Sequence, residues 1–520
     1  MAARSASIAV TLAASLGLAG RAAAKDCASL AGASFAGAQV VSAVEAAGAV
    51  DKASGELPAF CRIAGVTAGT ERFEVWAPKS GWNGRLLSVG SGGFGGSIQT
   101  AAMADGLRRG FAVTSNDTGH QGEARAWMRN REQVRLWGHS ATHLATGPAK
   151  AIVAAYYGAP ARYAYFSGCS TGGAQAMEEA QFYPDDYDGV IAGAPGMSYA
   201  HLMLSFLWGL KAASAHPDSL LTPQKLLVLH AAVLARCDAA DSVADGLISD
   251  PEACRFDPAV LLCKGADGPD CLTAHQVETA RLIYQGARNP RTGAVIYPGM
   301  APGSEAETGV LATNPYGYGW SAIQGPLASI FAIPLLKEMA FGDPNWDWRS
   351  FDWDRDVTRL DALVGSDITA LDPDLRAFRA HGGKLIMYQG WGDPLNGQTL
   401  PIRYRQQVID RFAAEGAGRA RAERRVDGFF RLFMAPGMSH CEGGPGPSRF
   451  DALAAMQGWV ETGVAPERLI AQRVATPGRA AQPPMTRPLC AWPKVARWSG
   501  QGSTNEAANF ACVREPRTAT

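Results

Sequence analysis

The chain has 520 residues, of which 47% are hydrophobic and 18% are charged, a balance typical of a globular protein with a sizeable core. Lysine and arginine together number 48, as do aspartate and glutamate, so no net charge draws in nucleic acid or an anionic membrane. The length predicts two or three structural units. Partners must therefore be inferred from a site rather than from overall charge.

The N-terminus has the three regions of a secretory signal. Arg4 precedes an apolar run, Ile8–Ala19, and Ala22–Ala24 supply small residues for cleavage before Lys25. A buried N-terminal helix is the alternative, but charge and a cysteine follow the run directly. No other segment has the roughly 18 uninterrupted apolar residues of a membrane span. Residues 1–24 are therefore predicted to be a signal peptide, and the mature protein to be soluble in the periplasm or outside the cell.

Ten cysteines follow the predicted cleavage site, and an oxidising compartment favours pairing them. No Cys-x-x-Cys spacing occurs, which argues against zinc. Neighbours in sequence suggest three disulfides, whereas spacing does not decide how the other four cysteines pair. The suggested pairs are Cys237 with Cys254, Cys263 with Cys271, and Cys490 with Cys512, which leaves Cys27, Cys61, Cys169 and Cys441.

The region from residue 73 onwards alternates strands and helices. Phe73–Ala77 and Arg85–Val89 are predicted strands on either side of a Trp-Asn-Gly turn, and the glycine loop Gly90–Gly96 leads to a helix and a third strand, Phe111–Ser115. Ala141–Tyr157 is a predicted helix. This alternation indicates an α/β sheet protein.

A nucleophile elbow is predicted at Ser170. Gly168–Gly172 has the form Gly-x-Ser-x-Gly, after a strand-like run, Ala161–Phe166, and before a predicted helix, Ala174–Phe182. Such a turn strains the serine backbone and leaves little room for neighbouring Cβ atoms, which accounts for the glycines, Gly173 included. The alternative is a glycine-rich turn whose serine only caps the next helix.

The middle of the chain loses this alternation and is predicted to be an insertion. It is rich in proline, glycine and aromatic residues. The alternation of strands and helices returns with the predicted strands Lys384–Gln389 and Arg431–Met434 and the predicted helix Tyr404–Ala414. An insertion explains the pattern better than two tandem domains, because the later part completes the chemistry of the first. The predicted domains are an α/β-hydrolase catalytic domain formed by residues 25–196 and 372–520, and a large lid domain, residues 197–371.

The later strands supply the catalytic partners that Ser170 needs. Asp393 and His440 each follow a predicted strand, and the order serine, aspartate, histidine is that of an α/β-hydrolase triad. His440 would take the Ser170 proton and give it to the leaving alcohol, while Asp393 would fix the imidazole and stabilise its cation. His120 is the main rival base, although it precedes the elbow. The other rivals are His139, His143, His216 and His381.

Three segments, Gly168–Gly173, Gly392–Asp393 and Ser439–Cys441, resemble the tannase and feruloyl esterase family, and the resemblance covers nearly all of the mature chain. It implies disulfides between Cys169 and Cys441 and between Cys27 and Cys61, besides the three local pairs. The first of these would tether the nucleophile turn to the histidine loop. A small buried free thiol at Cys169 is the alternative.

Two backbone N–H groups are expected to bind the oxyanion of an acyl transfer. Thr171 supplies the first by its position after the nucleophile. The second is expected from the loop Gly90–Gly96, where the motif of the resembled family points to Gly93. A mobile hairpin is the alternative interpretation of these glycines.

An acidic turn at residues 237–247 gathers carboxylates at short intervals around a glycine, as a hard cation requires. Its spacing is not that of an EF-hand, and taken alone it is as readily a solvated acidic turn. The resemblance implies a structural Ca²⁺ in the lid and no catalytic cofactor. The implied ligands are side-chain oxygens of Asp238, Asp241 and Asp245 and backbone carbonyls of Val243 and Leu247.

Aromatic side chains concentrate in the predicted lid, where they would line an acyl pocket or form the lid's own core. We expect at least half of them to belong to the core. Arg349 is the nearest candidate by position for the carboxylate-binding arginine of terephthalate monoester hydrolysis, and hydroxycinnamate or gallate esters are the more general expectation. The aromatic residues are Trp320, Phe331, Phe341, Trp346, Trp348, Phe351 and Trp353.

These observations predict a secreted serine carboxylic ester hydrolase. It is expected to cleave esters of aromatic acids, of feruloyl, galloyl or terephthalate-monoester type, through an acyl-enzyme. The expected partner is a small aromatic ester, with neither nucleic acid nor membrane. A serine peptidase or amidase on the same fold and a catalytically inactive binding module are the alternatives, and the complete Ser, Asp, His set argues against the inactive module.

Overall fold

The structure is a computed structural model that describes residues 24–67, 70–122, 125–306, 319–416, 418–475 and 482–514. The predicted signal peptide lies outside the described residues, apart from Ala24. Across the described ranges, no helix is both long enough and apolar enough to cross a membrane.

Ten of the described strands form one mixed sheet, in the order β1-β2-β3-β4-β6-β5-β7-β8-β11-β12. The central strands are apolar on both faces because helices cover both sides. The strands of this sheet are β1 Ser34–Phe35, β2 Ala38–Ala46, β3 Phe60–Thr67, β4 Glu71–Pro78, β5 Arg85–Val89, β6 Ala112–Asn116, β7 Tyr163–Cys169, β8 Gly189–Gly193, β11 Lys384–Gly390 and β12 Phe430–Ala435. Three short pairs complete the list: β9 Ala287–Arg288 with β10 Val295–Tyr297, β13 Arg468–Gln472 with β14 Thr486–Cys490, and β15 Lys494–Trp498 with β16 Phe510–Arg514.

The relative direction of neighbouring strands changes across the sheet. From β1 to β6 neighbouring strands are antiparallel, whereas from β6 through β12 all neighbours are parallel. The parallel strands end at one edge, where loops that follow them can meet. β6 lies between β4 and β5, so these two strands, which follow one another along the chain, are not paired.

Thirteen α-helices lie in the described ranges, and local signals mark several of their ends. Gly158, in the left-handed region at φ 72°, ends the third helix, and Thr273 starts the seventh with a capping box. The helices are α1 Thr100–Arg108, α2 Arg131–Arg135, α3 Ala141–Tyr157, α4 Thr171–Phe182, α5 Tyr199–Ala213, α6 Pro223–Cys237, α7 Ala274–Gln285, α8 Trp320–Ile323, α9 Arg355–Val364, α10 Arg376–His381, α11 Leu400–Ala413, α12 Arg419–Asp427 and α13 Ala452–Thr462.

This architecture confirms the predicted α/β-hydrolase fold, and the predicted strands and helices recur with small shifts at their ends. The shift at the start of α4, which begins at Thr171 rather than Ala174, has an identifiable cause. Gly172 and Gly173 have poor helix propensity, which hides the true start of the helix. Packing against the sheet holds them in helical conformation.

Within the described residues, the segment predicted as a lid adds no strand to the main sheet. It builds a separate hydrophobic core, into which Trp127 and Trp137 also pack. Its two ends meet: Ser198 forms an isolated bridge with Thr369, and the Ala370 N–H donates to the Met197 carbonyl over 2.7 Å. The domain boundaries at 197 and 371 stay a prediction, which this pairing favours.

Five disulfides use all ten cysteines. They are the pairs that the sequence neighbours suggested and the family resemblance implied. Three close short loops, and a fourth joins the chain start to β3. The pairs are Cys27 with Cys61, Cys169 with Cys441, Cys237 with Cys254, Cys263 with Cys271, and Cys490 with Cys512.

Candidate active site

Ser170 lies in the tight turn between β7 and α4. Its backbone has φ 64° and ψ −120°, a conformation that a residue with a Cβ rarely adopts. The turn depends on neighbouring glycines: a Cβ on Gly168 would lie 2.3 Å from the Gly172 oxygen, and one on Gly173 would lie 2.3 Å from the Gly193 oxygen. The strained turn expected of a nucleophile elbow is therefore present.

The start of α4 offers backbone donors beside Ser170. The first N–H groups of a helix have no intrahelical acceptor and lie at the positive end of the helix dipole. Thr171 is the first residue of this 12-residue helix. This position agrees with the predicted role of its N–H as an oxyanion donor.

His440 and Asp393 are hydrogen-bonded to each other. His440 Nδ1 lies 2.9 Å from Asp393 Oδ2, and both side chains are buried, Asp393 completely. They meet because β11 and β12 are parallel neighbours, so that the loops after them leave the same edge of the sheet. With Nδ1 held by Asp393, Nε2 is the nitrogen left for proton transfer.

Asp393 is held by further donors that no sequence motif marks. Gln389 Nε2 donates to its Oδ2 over 2.9 Å, and the backbone N–H groups of Leu395 and Asn396 donate to its Oδ1 over 2.8 and 3.1 Å. Gln398 Nε2 donates to its backbone carbonyl over 2.6 Å. This network fixes the carboxylate, and the closeness of the glutamines in sequence is the only signal that would have suggested them.

The disulfide between Cys169 and Cys441 joins the neighbours of the serine and the histidine. Its Cα atoms lie 6.0 Å apart, although 272 positions separate the two cysteines. The bond thus ties the nucleophile turn to the histidine loop across the inserted segment.

Ser170 and His440 line one cavity of about 390 Å³. The glycine loop forms one wall, and the N-terminal half of α5 forms another. Apart from His440 and the tyrosine Tyr199, no ionisable side chain of the described residues lines it. Its apolar lining consists of Leu202, Met203, Phe206, Phe331 and Leu395.

The glycine loop predicted to supply the second oxyanion donor packs against the start of α4. Gly93 lines the same cavity as Ser170 and has φ 56°, in the left-handed region. A Cβ on Gly90 would lie 2.7 Å from the Gly172 Cα, so glycines on both sides permit the two backbones to approach. The roles of Gly93 and Thr171 stay predictions.

None of the rival histidines lines the cavity. His120 stacks on Trp127 with ring centroids 4.1 Å apart, and burial lowers the pKa of His120. The other rivals have partners elsewhere: His139 with Tyr183, His143 with Asp186, His381 with Asp185, and His216 stacked on His275.

The aromatic residues of the inserted segment belong mostly to its own core, as expected. Phe331 alone among the seven lines the cavity. Trp320, Phe351 and Trp353 are buried, and the remaining three, Phe341, Trp346 and Trp348, pack against the same core partly buried.

Arg349 does not reach the cavity. Its side chain is 70% exposed and pairs with Asp347, and its guanidinium lies over the Trp348 ring. The structure therefore does not place this arginine where the carboxylate of a substrate's acyl group would bind.

The acidic turn of the inserted segment folds around its three aspartates. Backbone N–H groups donate to Asp238 and Asp241, and Arg487 pairs with Asp245. Burial raises the pKa values of Asp241 and Asp245, each with a smaller contribution from the neighbouring carboxylates. Carboxylate and carbonyl oxygens are the donors that a hard cation prefers, so the donor chemistry of this turn suits one.

The ligand oxygens of the three aspartates nevertheless do not all lie within 4.8 Å of one another. Among the described residues, the one group of three acidic, cysteine or histidine side chains with ligand atoms within 4.8 Å of one another is Cys263, Asp267 and Cys271. Its two sulfurs are joined in a disulfide and offer no thiolate. Val243 and Leu247, the implied carbonyl ligands, lie buried within the acidic turn.

The chain is similar to known esterases along most of its length. The family model described as Tannase and feruloyl esterase matches residues 55–513. An uncharacterised esterase of Xanthomonas campestris is 40% identical over 89% of this chain and 86% of its own. Mono(2-hydroxyethyl) terephthalate hydrolase of Piscinibacter sakaiensis is 32% identical, with 88% and 86% covered. The crystal structure of feruloyl esterase B from Aspergillus oryzae gives a TM-score of 0.79 at 28% identity and covers 92% of this chain and 98% of that one.

Proposed function

The chain belongs to the tannase and feruloyl esterase family and is a carboxylic ester hydrolase, and we propose that it cleaves esters of aromatic acids through an acyl-enzyme on Ser170. The observation that carries this proposal is the shared cavity of Ser170 and His440, with His440 hydrogen-bonded to buried Asp393. The serine mechanism is inferred from these three side chains together.

In the acylation step, His440 takes the Ser170 hydroxyl proton as the serine oxygen attacks the ester carbonyl carbon. Asp393 keeps Nδ1 of the ring occupied and stabilises the imidazolium that forms. The N–H groups of Thr171 and Gly93 bind the oxyanion of the tetrahedral intermediate. His440 then protonates the leaving alcohol, and the acyl group stays on Ser170.

In the deacylation step, water takes the place of the alcohol. His440 removes a proton from the water as its oxygen attacks the acyl carbon, and then returns a proton to Ser170 as the acid leaves. The same oxyanion donors serve both tetrahedral intermediates, so one site performs both halves of the reaction.

The cavity favours an uncharged aromatic acyl group. The side chains of Leu202, Met203, Phe206 and Phe331 offer apolar and aromatic contacts, and no arginine or lysine of the described residues lines the cavity. A carboxylate brought into it would lose water without gaining a cation. We therefore expect hydroxycinnamate and gallate esters to be better substrates than mono(2-hydroxyethyl) terephthalate.

Turnover of methyl ferulate, methyl gallate and mono(2-hydroxyethyl) terephthalate under one condition tests substrate class. Ser170→Ala is expected to abolish turnover with an unchanged melting temperature, and a fluorophosphonate is expected to label the wild type but not this variant. Turnover retained by Ser170→Ala would refute the serine mechanism. A higher kcat/KM on the terephthalate monoester than on both other esters would refute the substrate class.

We further propose that the enzyme is secreted, to the periplasm or the cell exterior. Five disulfides and the signal-like N-terminus support this, because such bonds persist in oxidising compartments. Fractionation of cells that express the full chain, with detection of the cleaved N-terminus, tests it. An uncleaved chain confined to the cytoplasm would contradict it.

A structural Ca²⁺ in the inserted segment is a separate proposal. Asp238, Asp241 and Asp245, with the carbonyls of Val243 and Leu247, would hold it. We expect a chelator to lower the melting temperature and added Ca²⁺ to restore it, with kcat unchanged well below unfolding, because the loop does not line the cavity. Elemental analysis that finds no metal, together with a melting temperature insensitive to chelator, would refute it.

A further inference from the structure

The carbonyl of Gly93 is bound by two hydroxyl groups from different parts of the fold. Thr171 Oγ1, from the first residue of α4, donates to it over 2.6 Å. Tyr199 Oη, from the first residue of α5 in the inserted segment, donates to it over 3.4 Å. One carbonyl in the glycine loop thus joins the nucleophile helix to the lid.

The glycine loop needs such contacts because its sequence gives it little stiffness of its own. Glycine adopts left- and right-handed conformations about equally, and Gly93 occupies the left-handed region here. An oxyanion donor is effective only when it is fixed within hydrogen-bond distance of the position that the oxyanion will occupy. One hydrogen bond within the loop, from the Gly95 N–H to the Gly92 carbonyl over 2.9 Å, spans Gly93, and contacts from outside the loop restrict the Gly93 N–H further.

From these contacts we propose that the side chains of Thr171 and Tyr199 are positioning residues that fix the oxyanion donor at Gly93, and that Tyr199 makes this donor depend on the docked lid. This inference rests on the proposed function, and in particular on the role given to Gly93. It assigns to the Thr171 hydroxyl a task separate from that of the Thr171 backbone N–H.

The surroundings of Tyr199 suit this task. Its ring packs edge-on against Trp137 at 4.8 Å and lies 6.2 Å from Phe94, the residue after Gly93. Burial raises the pKa of Tyr199, so its hydroxyl keeps its proton and remains a donor. Tyr199 follows Ser198, which pairs with Thr369 where the segment's ends meet. A shift of the lid would thus move the hydroxyl away from the loop.

Removal of either hydroxyl tests the proposal in steady-state kinetics on methyl ferulate. Thr171→Val is expected to lower kcat about 10-fold to 100-fold, less than the loss of a whole donor, with KM changed less than about threefold. Tyr199→Phe, which keeps the ring contacts, is expected to lower kcat about threefold to tenfold. Because Thr171 makes the shorter bond, its loss is expected to be the larger.

Matched controls remove the same group from side chains that do not line the cavity. Tyr157→Phe deletes a buried hydroxyl that donates to the Pro78 carbonyl over 2.7 Å, and Thr279→Val deletes one that donates to the Ala212 carbonyl over 3.2 Å. Both are expected to lower the melting temperature slightly and to leave kcat unchanged. A loss of kcat in the controls equal to that in the test variants would mean a general loss of stability and would overturn the proposal.

The conservative change Thr171→Ser keeps the donor and is expected to recover most of the kcat lost in Thr171→Val. Test variants with wild-type kcat, a loss confined to KM, or a Thr171→Ser variant as impaired as Thr171→Val would each overturn the proposal. If Thr171→Val does not fold, Tyr199→Phe and Thr171→Ser decide the same question. A wild type without activity on any aromatic ester would instead refute the proposed function itself.

Discussion

At the scale of single residues, the nucleophile turn depends on glycines, which have no Cβ atom. Ser170 takes its positive-φ backbone in a turn where Gly168, Gly172 and Gly173 have no Cβ atoms to collide with the neighbouring strands and loops. The tightest of these approaches are between backbones, which do not yield as a flexible side chain does. The glycines of the motif are therefore steric requirements of the site.

Gly173 provides a direct test of this requirement. In Gly173→Ala the new Cβ would lie 2.3 Å from the Gly193 oxygen and 2.8 Å from the Pro195 Cα, so the turn or β8 must shift. We expect unfolding free energy to fall by about 1–3 kcal/mol, together with a marked loss of kcat, measured by chemical denaturation and ester turnover.

The matched control is Gly458→Ala in α13, where a Cβ meets nothing within 4 Å. Removing a glycine from an open helical position is expected to stabilise the protein by up to about 1 kcal/mol and to leave kcat unchanged. If Gly173→Ala behaved like Gly458→Ala, the steric account of the turn would be wrong.

At the scale of elements, the sequence predicted those catalytic residues that follow the end of a strand. Ser170, Asp393 and His440 each lie in the turn or loop that follows a predicted strand, and parallel strands bring such positions to one edge. Tyr199 was not predictable in this way, since its contact with Gly93 depends on how α5 docks on the core. Packing between segments distant in sequence leaves no local pattern.

Packing between distant segments also decides which aromatic residues of the inserted segment line the cavity. Their composition suggested both a pocket wall and a core, and only docking decides that Phe331 faces the cavity while Trp320 is buried. The cavity-lining side chains Leu202, Met203 and Phe206 were missed for a related reason: α5 reads as a uniformly apolar helix, so its pattern does not distinguish the face toward the cavity.

The disulfide between Cys169 and Cys441 links two elements that carry the chemistry. We expect Cys169→Ala combined with Cys441→Ala to lower both the melting temperature and kcat, because the loop of 272 positions becomes unrestrained and the serine and histidine turns can separate. Removal of the pair Cys263 and Cys271, 8 positions apart, is the control and should lower only the melting temperature. Equal kcat in the two double variants would contradict a role of the disulfide between Cys169 and Cys441 in catalysis.

At the scale of the whole molecule, buried acids make stability depend on pH. Glu71 has no exposed surface and is bonded to the Thr67 hydroxyl, and its Oε1 has no partner among the described residues. Burial raises the pKa of Glu71 to about 8 from its ordinary 4.5. Between these values the folded chain holds a proton that the unfolded chain has released, so stability falls as pH rises through this window.

Glu71→Gln stays uncharged at every pH and should remove this part of the pH dependence of the unfolding free energy. We expect the variant to exceed the wild type by about 1–3 kcal/mol of unfolding free energy at pH 8, with the advantage vanishing below pH 4.5, as measured by denaturation across pH. Glu74→Gln, which breaks the ion pair with Arg62, should instead destabilise without removing this pH dependence. An unchanged difference between Glu71→Gln and wild type across pH would count against the buried proton.

The pairing of Ser198 with Thr369 has a consequence for how this protein can change. The segment between them begins and ends at adjacent positions, so a graft of this segment from a relative would join the core chain at one place. A graft must also keep the packing with Trp127 and Trp137 and the ion pair between Asp245 and Arg487, and it must place a hydroxyl where Tyr199 meets the glycine loop.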